Sequence, residues 1–165
     1  MKTLFLLRHG KSRWDEDFVQ DYERALKKRG ARNATEMGKR IALRADKPEL
    51  IIASFAERTL RTAQLVAAEL DFKSDEIVVD KAIYAAECDD LQNIIKQFDD
   101  AYERILLVGH NPTLTEALNH FTNAGIENVP TCGLGVVQFS TGSWSSVNSN
   151  NAQLLHFDYP KKQDN

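Results

Sequence analysis

The sequence predicts a three-layer α/β/α fold, a mostly parallel sheet with helices on both faces, from three observations. Short apolar runs at residues 3–7, 50–53 and 105–108 read as buried strands. The longer segments between them carry apolar residues at helical spacing. Strand and helix therefore alternate, the order that builds a parallel sheet through helical crossovers. A chain of 165 residues buries one sizeable core, so 1–165 is expected to form a single domain.

The elements follow in chain order. The first strand stops at Arg8-His9-Gly10, and residues 12–23, polar and aromatic without a period, read as a loop over one end of the sheet. Residues 26–43 suit a surface helix with Ala34, Met37 and Ile41 inward, although Gly30 and Gly38 weaken it. A strand at 50–53 ends at Ser54, and a helix over 56–70 places Leu60, Ala63, Ala67 and Leu70 on one stripe, with Arg58 off it. A short strand at 76–79 and a helix over 89–98, with Leu91, Ile94 and Ile95 inward, lead to the strand at 105–108. Gly109-His110-Asn111-Pro112 breaks that strand, and Pro112 suits the first turn of a helix running to about Phe121. Strands at 133–140 and 153–157, joined by a Gly/Ser/Asn-rich turn over 141–151, are expected at a sheet edge. The last six residues are expected to fray.

Composition narrows the functional classes. Hydrophobic residues make up 42% and charged residues 27%, which fits a globular chain. A formal charge of −3 offers no basic footprint for nucleic acid, and no apolar run approaches membrane-spanning length. The first apolar run is too short for a secretion signal, so the expected location is cytoplasmic. Cys88 and Cys132 have no CxxC or metal-ligand spacing and read as reduced structural thiols. His120 and His156 read as structural, on a helix face and a strand edge.

Active sites in such folds lie past the carboxyl ends of buried strands. Arg8-His9-Gly10, Ser54 with Arg58, and Gly109-His110-Asn111 occupy three such ends. If those strands are neighbours, two arginines and two histidines converge, the set that phosphoryl transfer through histidine needs. Arginine offers a planar fork of donors to phosphate oxygens. Neutral imidazole offers a lone pair for attack at phosphorus. The second histidine is expected to donate a hydrogen bond to the phosphoryl group. Gly10 would permit close backbone approach, and the helix starts after Ser54 and Pro112 would aim N–H groups inward. The pairing of a neutral nucleophile with a donor histidine predicts a bell-shaped rate profile across mildly acidic to neutral pH. A metal held by His9, His110 and a carboxylate fits poorly beside two arginines, so no metal or other cofactor is expected. There is no GxxxxGK[ST] loop, Cys-x5-Arg segment or GxSxG elbow.

Leu6 to Trp14 (Leu-Leu-Arg-His-Gly-Lys-Ser-x-Trp), Asp21-Tyr22-Glu23-Arg24-Ala25-Leu26, Ser54-Phe55-Ala56-Glu57-Arg58 with Thr62-Ala63, and Val108-Gly109-His110-Asn111-Pro112 together resemble the ordered motifs of the histidine phosphatase superfamily, and within it the small SixA-type phosphohistidine phosphatases. Ala25 and Phe55 stand where prolines are usual. The resemblance implies His9 as nucleophile, Arg8, Arg58 and His110 as phosphate ligands, and Arg24 and Ser12 as secondary contacts; Gly10 and Asn111 join the expected substrate-binding set. Longer superfamily members carry capping insertions that supply a carboxylic acid. Here that stretch, Ile83-Tyr84-Ala85-Ala86-Glu87, is short, with Glu87 the one nearby candidate acid. An alkoxide leaving group needs such an acid and a phosphorylated imidazole does not. The expected substrate is therefore a phosphorylated protein carrying phosphohistidine. The rivals are a small phosphorylated ester with Glu87 as acid, and a phosphate-binding module without turnover.

Overall fold

A computed structural model of the chain describes residues 1–15, 17 and 19–161. Its strands are β1 (Lys2–Arg8), β2 (Leu50–Ala53), β3 (Val78–Val79), β4 (Arg104–Gly109), β5 (Leu134–Phe139) and β6 (Ala152–Asp158). They form one sheet in the order β3-β2-β4-β1-β5-β6. Pairings from β3 to β1 are parallel, and β5 runs antiparallel to both β1 and β6. The helices are α1 (Lys28–Ala42), α2 (Glu57–Glu69), α3 (Cys88–Lys96) and α4 (Thr113–Thr122).

Successive side chains of a strand point to opposite faces, and this sheet buries both. Phe5 and Leu7 of β1, with Ile51, Leu106 and Val108, pack beneath Ala34, Met37 and Ile41 of α1 and Ala63, Val66 and Ala67 of α2. Leu4 and Leu6, with Ile52, Ile105 and Leu107, pack beneath Leu91 and Ile95 of α3 and Leu114, Leu118 and Phe121 of α4. Each fully buried Val, Leu, Ile, Met or Phe side chain among them contributes about 1.5–3 kcal/mol. Gly38 serves the contact between α1 and α2, since a Cβ there would lie 3.0 Å from the Val66 Cα.

Several expectations are corrected. The inward face of α2 is turned so that Thr59, Thr62, Val66 and Arg58 are buried, while Leu60 and Leu70 are only partly covered. Thr59 and Thr62 tolerate burial because their hydroxyls donate to the carbonyls of Ser54 and Arg58. The strand expected at 76–79 shrinks to Val78–Val79, and Ser74–Glu76 form a 3₁₀ turn instead. The turn over 141–151 is more than a connector. Trp144 within it is fully buried and donates its indole N–H to the Tyr102 carbonyl at 2.8 Å. Of the tail expected to fray, Pro160 is held by Arg40 Nη2 at 2.9 Å, while 162–165 lie outside the described residues. Cys88 and Cys132 are free thiols.

Candidate active site

Sheet register assembles the site. Arg8 stands opposite Gly109 and Ala53 opposite Val108, so His9, His110 and Ser54 leave three adjacent strands at one level. The imidazole centroids of His9 and His110 are 5.6 Å apart. Arg8, His9, Arg24, Arg58 and His110 line a common cavity of about 290 Å³, together with Ser12, Lys11, Trp14 and Asp21.

The backbone of His9 is pinned on both sides, its N–H donating to the Gly109 carbonyl and its carbonyl accepting from the Cys132 N–H. Its Nδ1 lies 2.7 Å from the Gly10 carbonyl oxygen. A carbonyl can only accept, so Nδ1 carries the proton and Nε2 carries the lone pair. His9 is 8% exposed, and burial, joined by the charges of His110, Arg58 and Arg8, lowers its pKa to about 3 against the opposing bond from Gly10. Burial and then the Arg58 charge lower His110 to about 4. Both rings are therefore uncharged from mildly acidic pH upward. Both lowered values place the histidine titrations from which the bell-shaped profile is expected below that range.

Gly10 does not line the cavity. Its N–H donates to Thr62 Oγ1 at 3.0 Å, its carbonyl holds His9, and a Cβ on it would stand 2.7 Å from the Gly30 carbonyl oxygen. Its close approach is to the backbone of α1. Asn111 does line the cavity, yet its amide nitrogen donates to Asn128 and to the Val129 carbonyl, and its oxygen accepts from Thr115. The same Val129 carbonyl accepts from Arg8 Nη1 at 2.9 Å, so Asn111 fixes the loop that aims Arg8. The N–H of Thr115 is taken by Asn111, so this N–H at the start of α4 is not directed at the cavity.

Arg58 donates from Nη1 to the Asp21 carbonyl at 2.8 Å and from Nη2 to its carboxylate at 3.0 Å. Arg24 reaches the other Asp21 oxygen at 3.1 Å, donates to Ser12 Oγ at 2.8 Å, and lies 3.4 Å over the exposed Trp14 ring. Tyr84 donates its hydroxyl to the Asp21 carboxylate. Partial burial pushes the Asp21 pKa up, but hydrogen bonds from Tyr84 and Arg58, the Arg58 charge and the bond from Arg24 together hold it at about 2. His110 Nε2 meets Ser54 Oγ at 2.8 Å, so the hydrogen bond expected toward substrate does not come from Nε2 in this arrangement. Among the described residues, the buried side-chain nitrogens without a partner are Arg8 Nε, Arg58 Nε and His110 Nδ1. An unmet buried donor costs about 1–3 kcal/mol, and an oxyanion is the ligand that meets such donors.

Glu87 is exposed at the start of α3 and borders a neighbouring hollow of about 520 Å³, which shares His110 and Asn111 with the first cavity. It does not line the cavity of His9. Sequence reasoning passed over Asp21 and Tyr84 as site residues. Asp21 was detectable three positions before Arg24, a spacing that favours an ion pair within a turn. Tyr84 carried no such signal.

Residues 4–96 match the model of the histidine phosphatase superfamily, branch 1. This chain belongs to that superfamily. An uncharacterized chloroplastic protein of Arabidopsis thaliana is 30% identical over 154 residues, spanning 88% of this chain and 70% of that one. As a member of the superfamily the chain is of the SixA type. A structure from Agrobacterium tumefaciens, provisionally named phosphohistidine phosphatase SixA, shares 25% identity with a TM-score of 0.82, covering 96% of this chain and 98% of the other. A protein histidine phosphatase SixA complexed with tungstate shares the fold, with a TM-score of 0.80 at 15% identity over 98% and 99% of the two chains. Among the described residues no helix is long and apolar enough to cross a membrane.

Proposed function

We propose that this phosphatase removes phosphate from phosphohistidine in proteins by way of a covalent intermediate on His9, without a metal. The supporting observation is the His9 imidazole itself: Nδ1 is committed to the Gly10 carbonyl, so Nε2 enters the cavity's chemistry as an unprotonated nucleophile. The phosphoryl dianion sits against Arg8 and Arg58, with His110 beside it. Nε2 of His9 attacks phosphorus in line, the P–N bond to the substrate imidazole breaks with its electron pair staying on nitrogen, and the imidazole, already protonated on its other nitrogen, leaves neutral. Water then attacks phosphorus, the bond to Nε2 breaks, and phosphate leaves while the proton of that water returns to solvent. The arginines offset charge on the equatorial oxygens in both steps.

The substrate class rests on the acid. Among the described residues Asp21 is the carboxylate lining the cavity, and at about 2 it is ionised at neutral pH and donates no proton. Glu87 borders the adjoining hollow. An alkoxide would depart slowly from such a site, whereas an imidazole whose other nitrogen is protonated departs as a neutral molecule. The hollow beside His110 carries Glu87, Asp89 and Glu116, which favours a cationic stretch of substrate over a phosphorylated acid.

The test compares a phosphohistidine peptide, an alkyl phosphomonoester and p-nitrophenyl phosphate, with and without chelator, on wild type and His9→Ala. The expected result is chelator-resistant turnover, preference for the peptide over the alkyl ester by about 100-fold or more, and loss of all activity in His9→Ala. Retained activity in His9→Ala overturns the nucleophile. Equal rates on peptide and alkyl ester overturn the substrate class, and phosphate binding without turnover makes the chain a binding module.

A further inference from the structure

Asp21 makes more contacts with the phosphate-binding side chains than any role so far requires. Both terminal nitrogens of Arg58 are engaged by it, one by the backbone carbonyl and one by the carboxylate, which leaves Nε as the buried, unpartnered edge of that guanidinium. The carboxylate divides between Arg58 and Arg24, and Tyr84 anchors it from a segment 63 positions away in the chain. Tyr84 is itself held in an aromatic cluster, with ring centroids 5.0 Å from Phe55 and 5.4 Å from His110.

We propose that Asp21 is the positioning residue of the site: it grips the terminal fork of Arg58 so that the Nε edge presents to the phosphoryl group, and Tyr84 holds it in that attitude. The inference rests on the phosphatase reading above for Arg58's role. Among the described residues Asp21 is a single negative charge beside three arginines of one cavity, so it also weakens the hold on product phosphate. Orientation and affinity therefore respond oppositely to its loss. That opposition separates positioning from mere support of the loop.

The experiment is a double-mutant cycle of Asp21→Asn and Arg58→Ala, read as kcat, KM and inhibition by inorganic phosphate with a phosphohistidine peptide. Side-chain exposure of 47% at Asp21 makes Asn a mild change for folding, and a circular dichroism melt checks each variant. Asp21→Asn is expected to lower kcat by about tenfold or more and to tighten phosphate inhibition by a few-fold. In the Arg58→Ala background it should change kcat by less than about twofold. Tyr84→Phe should lower kcat by a few-fold, and the loss should not add to that of Asp21→Asn. An equal fall in both Arg58 backgrounds, or tighter phosphate inhibition with unchanged kcat, overturns the proposal. If wild type shows no turnover, the Arg58 Nε resonance under phosphate titration gives the readout. A shift in wild type that disappears in Asp21→Asn sustains Asp21 while the phosphatase reading fails, and a shift that persists in the variant overturns Asp21 as well.

Discussion

The unprotonated state of His9 has a measurable consequence for folding. In the unfolded chain the imidazole titrates near 6.5, whereas in the folded protein burial lowers it to about 3. Below pH 6.5 the unfolded state therefore binds a proton that the native state refuses, and stability falls as pH drops, until the native imidazole itself protonates near 3. The slope is about 1.4 kcal/mol per pH unit, so going from pH 6.5 to pH 4.5 costs about 2–3 kcal/mol through His9 alone. A domain of this kind has about 5–15 kcal/mol in total, so the effect is large. His110, lowered to about 4, adds a second loss over the same window. Urea unfolding of wild type and His9→Asn at pH 7 and pH 4.5 reads the His9 share together with its charge coupling to His110, because the remaining titrations are common to both proteins. The asparagine amide can still donate to the Gly10 carbonyl but does not titrate. The stability difference, wild type minus variant, is expected to fall by about 2 kcal/mol between the two pH values. A difference that stays constant to about 0.5 kcal/mol would show that His9 titrates alike folded and unfolded. That result would remove the physical basis for a neutral nucleophile at mildly acidic pH.

Thr62→Val leaves the Gly10 N–H buried without its acceptor; stability should fall by about 1–3 kcal/mol in urea unfolding, and kcat should drop while phosphate affinity is kept. Glu87→Gln should leave peptide turnover within about twofold, and a loss of tenfold or more in initial rates would make Glu87 the acid. Gly30→Ala puts a Cβ 2.3 Å from the Lys11 carbonyl oxygen, a backbone atom that cannot rotate away, and should cost at least about 1–3 kcal/mol in thermal unfolding. An alanine variant as stable as wild type would show that α1 and the segment after His9 are packed less closely than described.

The sequence by itself determined the fold class, the order of the elements and the strand ends that carry Arg8-His9, Ser54 and His110. These are local properties: a run of apolar residues states its burial, and its period states helix or strand, without reference to distant parts of the chain. The turned face of α2 escaped that reading because Thr59 and Thr62 find hydrogen-bond acceptors one turn back, so apolarity alone misstates what they can bury. Only the tertiary structure decided which nitrogen of His9 is free, that Gly10 and Asn111 hold neighbours in place, that Asp21 joins Arg58 to Tyr84, and that Glu87 borders a different hollow. Each of these depends on sheet register or on a hydrogen bond whose partner is chosen in three dimensions. Gly10 meets Thr62 across 52 positions, and Arg8 meets Val129 across 121. Side-chain type states what a residue can bond, and only the packed chain states which bond it makes.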